Sequence, residues 1–233
     1  MFKAKKTILV VDDEANLVEV VKSYLENSGY SVFAAYNGEE ALRLFDKVNP
    51  SLVVLDLMLP DIQGEEVCYT LRRKSRVPII MLTAKSGEED ILNCLNMGAD
   101  DYVTKPFSPR QLVARVAAML RRAESEPVPI PNMISYNNGD LVINDMNYEV
   151  KKAGRSIYLT RLEYQVLMTL VRHSDKVLTR DELIGIVMGN DFDGYDRAID
   201  SHIKNLRQKI ENDIKKPEYI LTVYGVGYRF GGT

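Results

Sequence analysis

Five residues suggest chemistry by type and spacing: Asp12 and Asp13, Asp56, Thr83 and Lys105. Each follows or ends a short apolar run of the kind that makes a buried strand. In an open parallel sheet such positions meet at one edge, beyond the carboxyl ends of the strands, where ligands bind. Three carboxylates there would repel and raise one another's pKa. A hard divalent cation with oxygen ligands, magnesium best of all, removes that penalty. The Asp56 carboxylate can then serve as a nucleophile toward a phosphoryl group, with Thr83 and Lys105 stabilising charge on the transferred oxygens. Taken singly, each position has a plainer reading. An acidic triplet after a strand suits a helix N-terminus, and a lone aspartate at a strand end is commonly a turn residue. Their joint arrival at matching strand ends is what points to chemistry.

The elements that must position them are legible in residues 7–122. Apolar runs at 7–11, 31–35, 51–55, 78–82 and 101–104 alternate with amphipathic stretches at 15–28, 38–46, 64–73, 88–97 and 108–122. Such alternation predicts an α/β unit, a doubly wound five-stranded parallel sheet with helices on both faces. The runs at 51–55 and 78–82 are apolar throughout, as central strands buried on both sides require. Pro127, Pro129 and Pro131 then interrupt the chain. Alternate prolines cannot continue a helix, so 123–133 is expected to be a linker between domains at 1–122 and 134–233.

Residues 134–233 have another rhythm: short strands at 141–143, 148–150 and 156–159, helices at 161–173, 180–188 and 197–212, and a closing hairpin at 219–230. Thr160 with Glu163 and Thr179 with Glu182 have capping-box spacing. This half is expected to be a small α+β domain.

Composition narrows the class. With 45% hydrophobic and 27% charged residues, the chain is an ordinary globular protein rather than a disordered or fibrous one. Cys68 and Cys94 lack partners at metal-knuckle spacing and are too few for a disulfide framework. The apolar run near the start is too short for a signal peptide, and nothing approaches the roughly 18 apolar residues of a membrane span. The expectation is a cytoplasmic protein without a membrane partner. The net charge of −3 argues mildly against a nucleic-acid binder, but it hides local structure. Along 197–209 the chain carries Arg197, Lys204, Arg207 and Lys209 against Asp200. At 100° per residue, Ile199, Ile203, Leu206 and Ile210 share one side. Arg197, Asp200, Ser201, Lys204, Asn205, Arg207 and Gln208 fall opposite. Cations, amides and a hydroxyl on one face suit phosphates and base edges, though on charge alone a solvated face is the commoner meaning.

The motifs VVDDE, LVVLDLMLPD, LTAK and GADDYVTKPF, with the helix ending LRR, resemble the receiver domain of two-component response regulators, the CheY-like fold. LTRLEYQVLMTLVRH, LTRDELI, RAIDSHIKNLRQKI and YILTVYGVGYRF resemble the winged-helix domain of the OmpR/PhoB family. The resemblance implies a transcription factor switched by phosphorylation. Asp56 would accept phosphate from a sensor histidine kinase, and Asp12, Asp13, Asp56 and the backbone carbonyl of Met58 would hold Mg2+. Lys105 would contact the phosphate, with a cis bond to Pro106, and Thr83 and Tyr102 would form a switch pair. Tyr102 would turn inward as Thr83 moves toward the phosphoryl group. A homodimer would form through the fourth and fifth helices of the receiver and its last strand, pairing Asp101 with Arg115 and Asp100 with Arg122. Where a third pair is common, this chain has Ile91 and Gln111, which leaves the strength of that dimer open.

Binding of double-stranded DNA would fall to the helix at 197–212 and to the hairpin as a wing. Arg197, His202, Lys204 and Arg207 would meet phosphates, Asn205 and Ser201 would face bases, and Thr222 and Tyr224 would come from the wing. Asn205 and Tyr224 stand where arginine is frequent, which favours an A·T-leaning site. The acidic loop with Asp191, Asp193 and Asp196 is either a contact for RNA polymerase or a solvated turn. Two rival readings are weaker. A haloacid-dehalogenase-like phosphatase needs an acid two residues after its nucleophile, where this chain has Met58, and no phosphate-binding glycine motif is present. A vestigial receiver held in a fixed dimer would not need the complete acid, hydroxyl and lysine set.

Overall fold

The computed structural model describes residues 5–84, 87, 94–95, 97–124, 133–189 and 198–232. Ile91 and Arg197 lie outside the described residues, as do most of the 88–97 helix, most of the 123–133 linker, the acidic loop before residue 198 and the side chain of Arg122. The chain divides into two compact units, Met1–Glu124 and Ser125–Thr233.

The first unit is the expected parallel sheet. Its strands are β1 (Thr7–Val11), β2 (Ser31–Ala35), β3 (Leu52–Asp56), β4 (Ile79–Thr83) and β5 (Asp101–Thr104). They pair in the order β2-β1-β3-β4-β5, all in parallel. Strands β3 and β4 are buried at every position, as their uninterrupted apolar sequence demands. Alternate residues face opposite layers. Ile8, Val10, Leu52, Val54, Ile80, Leu82 and Val103 pack with α1 (Ala15–Asn27) and with α4 (Pro109–Glu124) through Val18, Val21, Leu25, Leu112 and Val116. On the other face lie α2 (Gly38–Val48) and α3 (Gly64–Arg72). Helix α2 starts where Asn37 accepts from the Glu40 amide and the two oxygens of Asp61 accept from Gly38 and Glu39. It ends at Asn49, whose φ of 45° is the left-handed cap conformation.

The second unit opens with a four-stranded antiparallel sheet in the order β6-β7-β8-β9: Met133–Tyr136, Leu141–Asn144, Glu149–Lys152 and Arg155–Ile157. Strand β6 is an edge strand whose sequence is masked by the prolines just before it. Helices α5 (Arg161–Arg172), α6 (Arg180–Val187) and α7 (Ala198–Ile210) follow. Both expected capping boxes are present at Thr160/Glu163 and Thr179/Glu182. The closing hairpin, β11 (Ile220–Val223) and β12 (Gly227–Phe230), joins the two-residue β10 (Leu178–Thr179) in a sheet of order β10-β12-β11. This is the winged-helix arrangement. No helix among the described residues is long and apolar enough to cross a membrane.

Candidate functional site

The acidic rim forms because strand register delivers it. Val11 lies opposite Leu55, so Asp12 and Asp56 leave β1 and β3 at the same level. Leu82 lies opposite Asp56 and Thr104 opposite Thr83, which brings Thr83 and Lys105 to the same end of the sheet. Asp12 and Asp56 are buried and Asp13 is exposed, and oxygens of the three lie within 4.8 Å of one another. Lys105 Nζ stands 2.7 Å from Asp12, 3.1 Å from Asp56 and 3.2 Å from Glu14. The Met58 amide donates to the second Asp56 oxygen at 3.1 Å while the Met58 side chain is exposed. The Lys105–Pro106 bond is cis, as the resemblance implied.

Electrostatics follow from this crowding. Burial pushes the Asp56 carboxyl up; Lys105 opposes the shift and Asp12 adds to it. Burial alone would lower Lys105, but its contacts to Asp12 and Asp56 outweigh that and hold it above its ordinary value. One ammonium faces three carboxylates and Glu14, so negative charge remains in excess. An oxygen-only donor set with uncompensated charge fits a hard divalent cation.

Two residues that the motifs did not single out shape the rim. A Cβ on Gly64 would sit 2.0 Å from the Asp56 carbonyl oxygen, so only glycine lets α3 start against the backbone of β3. Glu14 lies on the solvent side of Lys105; its only sequence signal is its place in the acidic triplet.

Thr83 and Tyr102 are both buried, with Tyr102 7% exposed. The acids expected to bridge a dimer have partners in their own chain. Asp101 accepts from Arg115 at 3.1 and 3.2 Å. Asp100 is buried, accepts from the Ile79 amide at 2.8 Å and from Arg72 at 2.5 Å, and Arg72 also donates to the carbonyls of Gly98 and Val77. The reason is local: the chain entering β5 turns Asp100 inward over the end of α3, where a buried guanidinium neutralises it. Gln111 lies on the exposed side of α4.

The helix face of the second unit differs more from expectation. Ser201, His202 and Asn205 are 5%, 2% and 6% exposed, so they do not stand on the open face. At 100° per residue Ser201 and Asn205 fall away from the apolar stripe, but the buried arc of α7 runs on through Ala198 and His202 to include them. The arc left more open holds Asp200, Lys204, Arg207 and Gln208, of which Lys204 and Gln208 are exposed. Lys209 reaches back to Glu163 at 2.6 Å. Arg207 is not aimed outward: it donates to the Ile220 carbonyl and to the Thr222 hydroxyl. Tyr224 stands 92% exposed at the hairpin tip.

Comparison with known proteins agrees with both halves. Residues 8–117 match the response regulator receiver domain, and residues 154–230 match the C-terminal domain of transcriptional regulatory proteins. The chain is 47% identical over 233 residues to the alkaline phosphatase synthesis transcriptional regulatory protein PhoP of Bacillus subtilis (strain 168), covering 96% of each chain. Among solved structures it is similar to the response regulator DrrB, an OmpR/PhoB homolog from Thermotoga maritima. Identity to DrrB is 36% and the TM-score 0.53, over 98% of this chain and all of that one. A RitR mutant is 30% identical with a TM-score of 0.77, over 97% of this chain and 98% of that one. With the acidic rim on one unit and a winged helix in the other, the chain belongs to the OmpR/PhoB-type response regulators, phosphorylation-regulated transcription factors of two-component systems with a receiver domain and a DNA-binding domain.

Proposed function

We propose that Asp56 is the phosphoacceptor of the receiver and that a sensor histidine kinase is its donor. The observation that carries this is the placement of a buried, nucleophilic carboxylate beside two further acids and within 3.1 Å of Lys105. An Asp56 oxygen bonds to phosphorus as the phosphorus–nitrogen bond of the donor breaks, and the departing imidazole keeps the electron pair and takes a proton. Lys105 leaves its ion pair with Asp56 for the new phosphoryl oxygens, and the Thr83 hydroxyl donates to another. Asp12, Asp13, Asp56 and the carbonyl of Met58 would hold Mg2+, which when bound neutralises the acids and polarises the phosphoryl group. The same groups limit the chain to weak chemistry on itself, its own phosphorylation and slow hydrolysis.

Thr83 and Tyr102 form the switch between phosphate and the neighbouring face. That face, made by the segment 88–97, α4 and β5, closes a homodimer. In an isologous contact, Arg115 exchanges Asp101 of its own chain for Asp101 of the second copy. Gln111 lies at its edge, and Ile91, Arg122 and Asp100 complete it. The boundaries 1–122, 123–133 and 134–233 separate receiver, linker and winged-helix domain in a cytoplasmic protein. DNA meets the open arc of α7, through Lys204 and Gln208, and the wing through Thr222 and Tyr224, with Arg197 contributing from the residue before Ala198 in sequence. Ser201, His202 and Asn205 support that face from beneath rather than reading bases. RNA polymerase is the partner of the acidic loop.

Incubating the chain with Mg2+ and phosphoramidate tests the central claim. Intact mass should show one added phosphoryl group, absent in Asp56→Asn and lost on removing Mg2+ with a chelator. Equal labelling of the Asn variant would end the assignment.

A further inference from the structure

Strand β11 is the edge of its sheet, because the order β10-β12-β11 leaves one side unpaired. An edge strand presents bare amide and carbonyl groups that must find partners. At Ile220, which is fully buried, both outward groups are taken by α7 or the residue just after it. The Ile220 amide donates to Glu211 at 2.8 Å. Its carbonyl accepts from Arg207 Nε at 3.0 Å and from a terminal guanidinium nitrogen at 2.6 Å, and that same nitrogen donates to the Thr222 hydroxyl at 2.8 Å.

The other strand of the hairpin is held from the same helix. Tyr228, which pairs with Thr222 across the hairpin, donates its hydroxyl to Asp200 at 2.7 Å. Asp200 also accepts from Arg180 at 2.9 Å. The Tyr228 ring carries two guanidinium groups, Arg180 at 5.2 Å and Arg207 at 5.6 Å from its centroid. Asp200 and Arg207 are seven residues apart, hence on one stripe of α7. One end of the stripe grips β12 and the other grips β11.

We propose that Arg207 is a positioning residue for the wing, fixing the hairpin tip relative to α7, and that it is not a phosphate contact. Its Nε and one terminal nitrogen are committed within the fold, and the planar fork is what the arrangement requires: a lysine ammonium keeps the charge but cannot span the Ile220 carbonyl and the Thr222 hydroxyl while stacking on Tyr228. The inference rests on α7 and the wing being the DNA face.

The test uses the full chain and a duplex selected on the wild-type protein from a random-sequence pool. If no duplex is enriched, the DNA-face reading fails, and this inference with it. If one is, the inference stands or falls on Arg207→Lys. That variant should bind as weakly as Arg207→Ala, about tenfold below wild type or more, the scale of a lost hydrogen bond from a charged group. Hydroxyl-radical protection should vanish under the wing and persist under α7. Thr222→Val, which changes no charge and leaves the guanidinium in place, should weaken binding about threefold and by less in the Arg207→Lys background, where the hydroxyl has only its own DNA contact left to lose. The result that overturns the proposal is Arg207→Lys binding like wild type while Arg207→Ala loses about 0.9 from the log–log salt slope, the mark of one phosphate contact. Strict additivity of Arg207→Lys and Thr222→Val would overturn it equally.

Discussion

Asp12 and Asp56 are 44 residues apart along the chain yet emerge level, because β1 and β3 pair residue for residue up to Val11 and Leu55. In the second unit Asp200 and Arg207 lie on one helix, and what matters about them is which strands they grip. The receiver rim is thus built by backbone register, and its side chains need only be long enough to meet. The DNA-binding unit is built by side chains reaching between elements, and the backbone alone does not say where they point. The difference teaches where each unit is fragile: the rim to anything that shifts a strand end, the helix face to anything that removes a clamp.

The sharpest break of this contrast is at two glycines. Gly64 meets the Asp56 carbonyl, and an added Cβ would have to displace backbone. Gly64→Ala should cost about 2–3 kcal/mol, seen as a lower urea midpoint for the receiver transition, and should slow phosphodonor labelling of Asp56. Gly225, at the wing tip with φ 76°, has nothing near its would-be Cβ. Gly225→Ala should cost only the left-handed strain, about 1 kcal/mol. Equal losses at the two sites would remove the claim that the rim is register-limited.

The rim was legible because three signals coincide at each position: residue type, the end of an apolar run, and the rule that ligands gather beyond carboxyl ends of strands. No comparable rule orients a helix face. Periodicity gave the buried stripe of α7 through Ile199, Ile203, Leu206 and Ile210. It set Ser201 and Asn205 opposite that stripe, yet both are covered, since a helical period reveals one apolar face and not a second element packed on a polar one. Arg72 was likewise silent: nothing in its neighbourhood announces a buried cation, and only the turn before β5 supplies Asp100 as its partner. Edge strand β6 and the two-residue β10 are too short to carry a pattern.

A smaller effect separates the open arc from the covered one. Lys204→Ala should make the salt dependence of DNA binding shallower by about 0.9 in log–log slope, with similar loss on every sequence. Asn205→Ala should instead lower thermal stability and leave sequence preference unchanged, because its side chain is buried. Fluorescence anisotropy on matched and mismatched duplexes at several salt concentrations reads both. A loss of preference in Asn205→Ala with stability intact would return that residue to the DNA face.

The smallest effect is also the most local, at the tyrosine that closes the clamp. Burial and then the hydrogen bond to Asp200 push the Tyr228 phenol up to about 12, above its ordinary value near 10. The folded state therefore favours the neutral phenol. Its contribution to stability is full below pH about 10 and is lost as pH rises toward 12, where the folded form also ionises. Tyr228→Phe keeps the ring under both guanidinium groups but removes the hydroxyl. At neutral pH the variant should be less stable than wild type by about 1 kcal/mol, the net worth of one hydrogen bond to an acceptor that keeps Arg180 as a donor. The gap should close on titration from pH 10 to 12, because wild type loses what the variant never had. Other tyrosines titrate in the same range, so the informative quantity is the difference between the two denaturation curves. A gap that stays constant across that range would mean that the hydroxyl acts through packing and that Asp200 does not hold the wing through it.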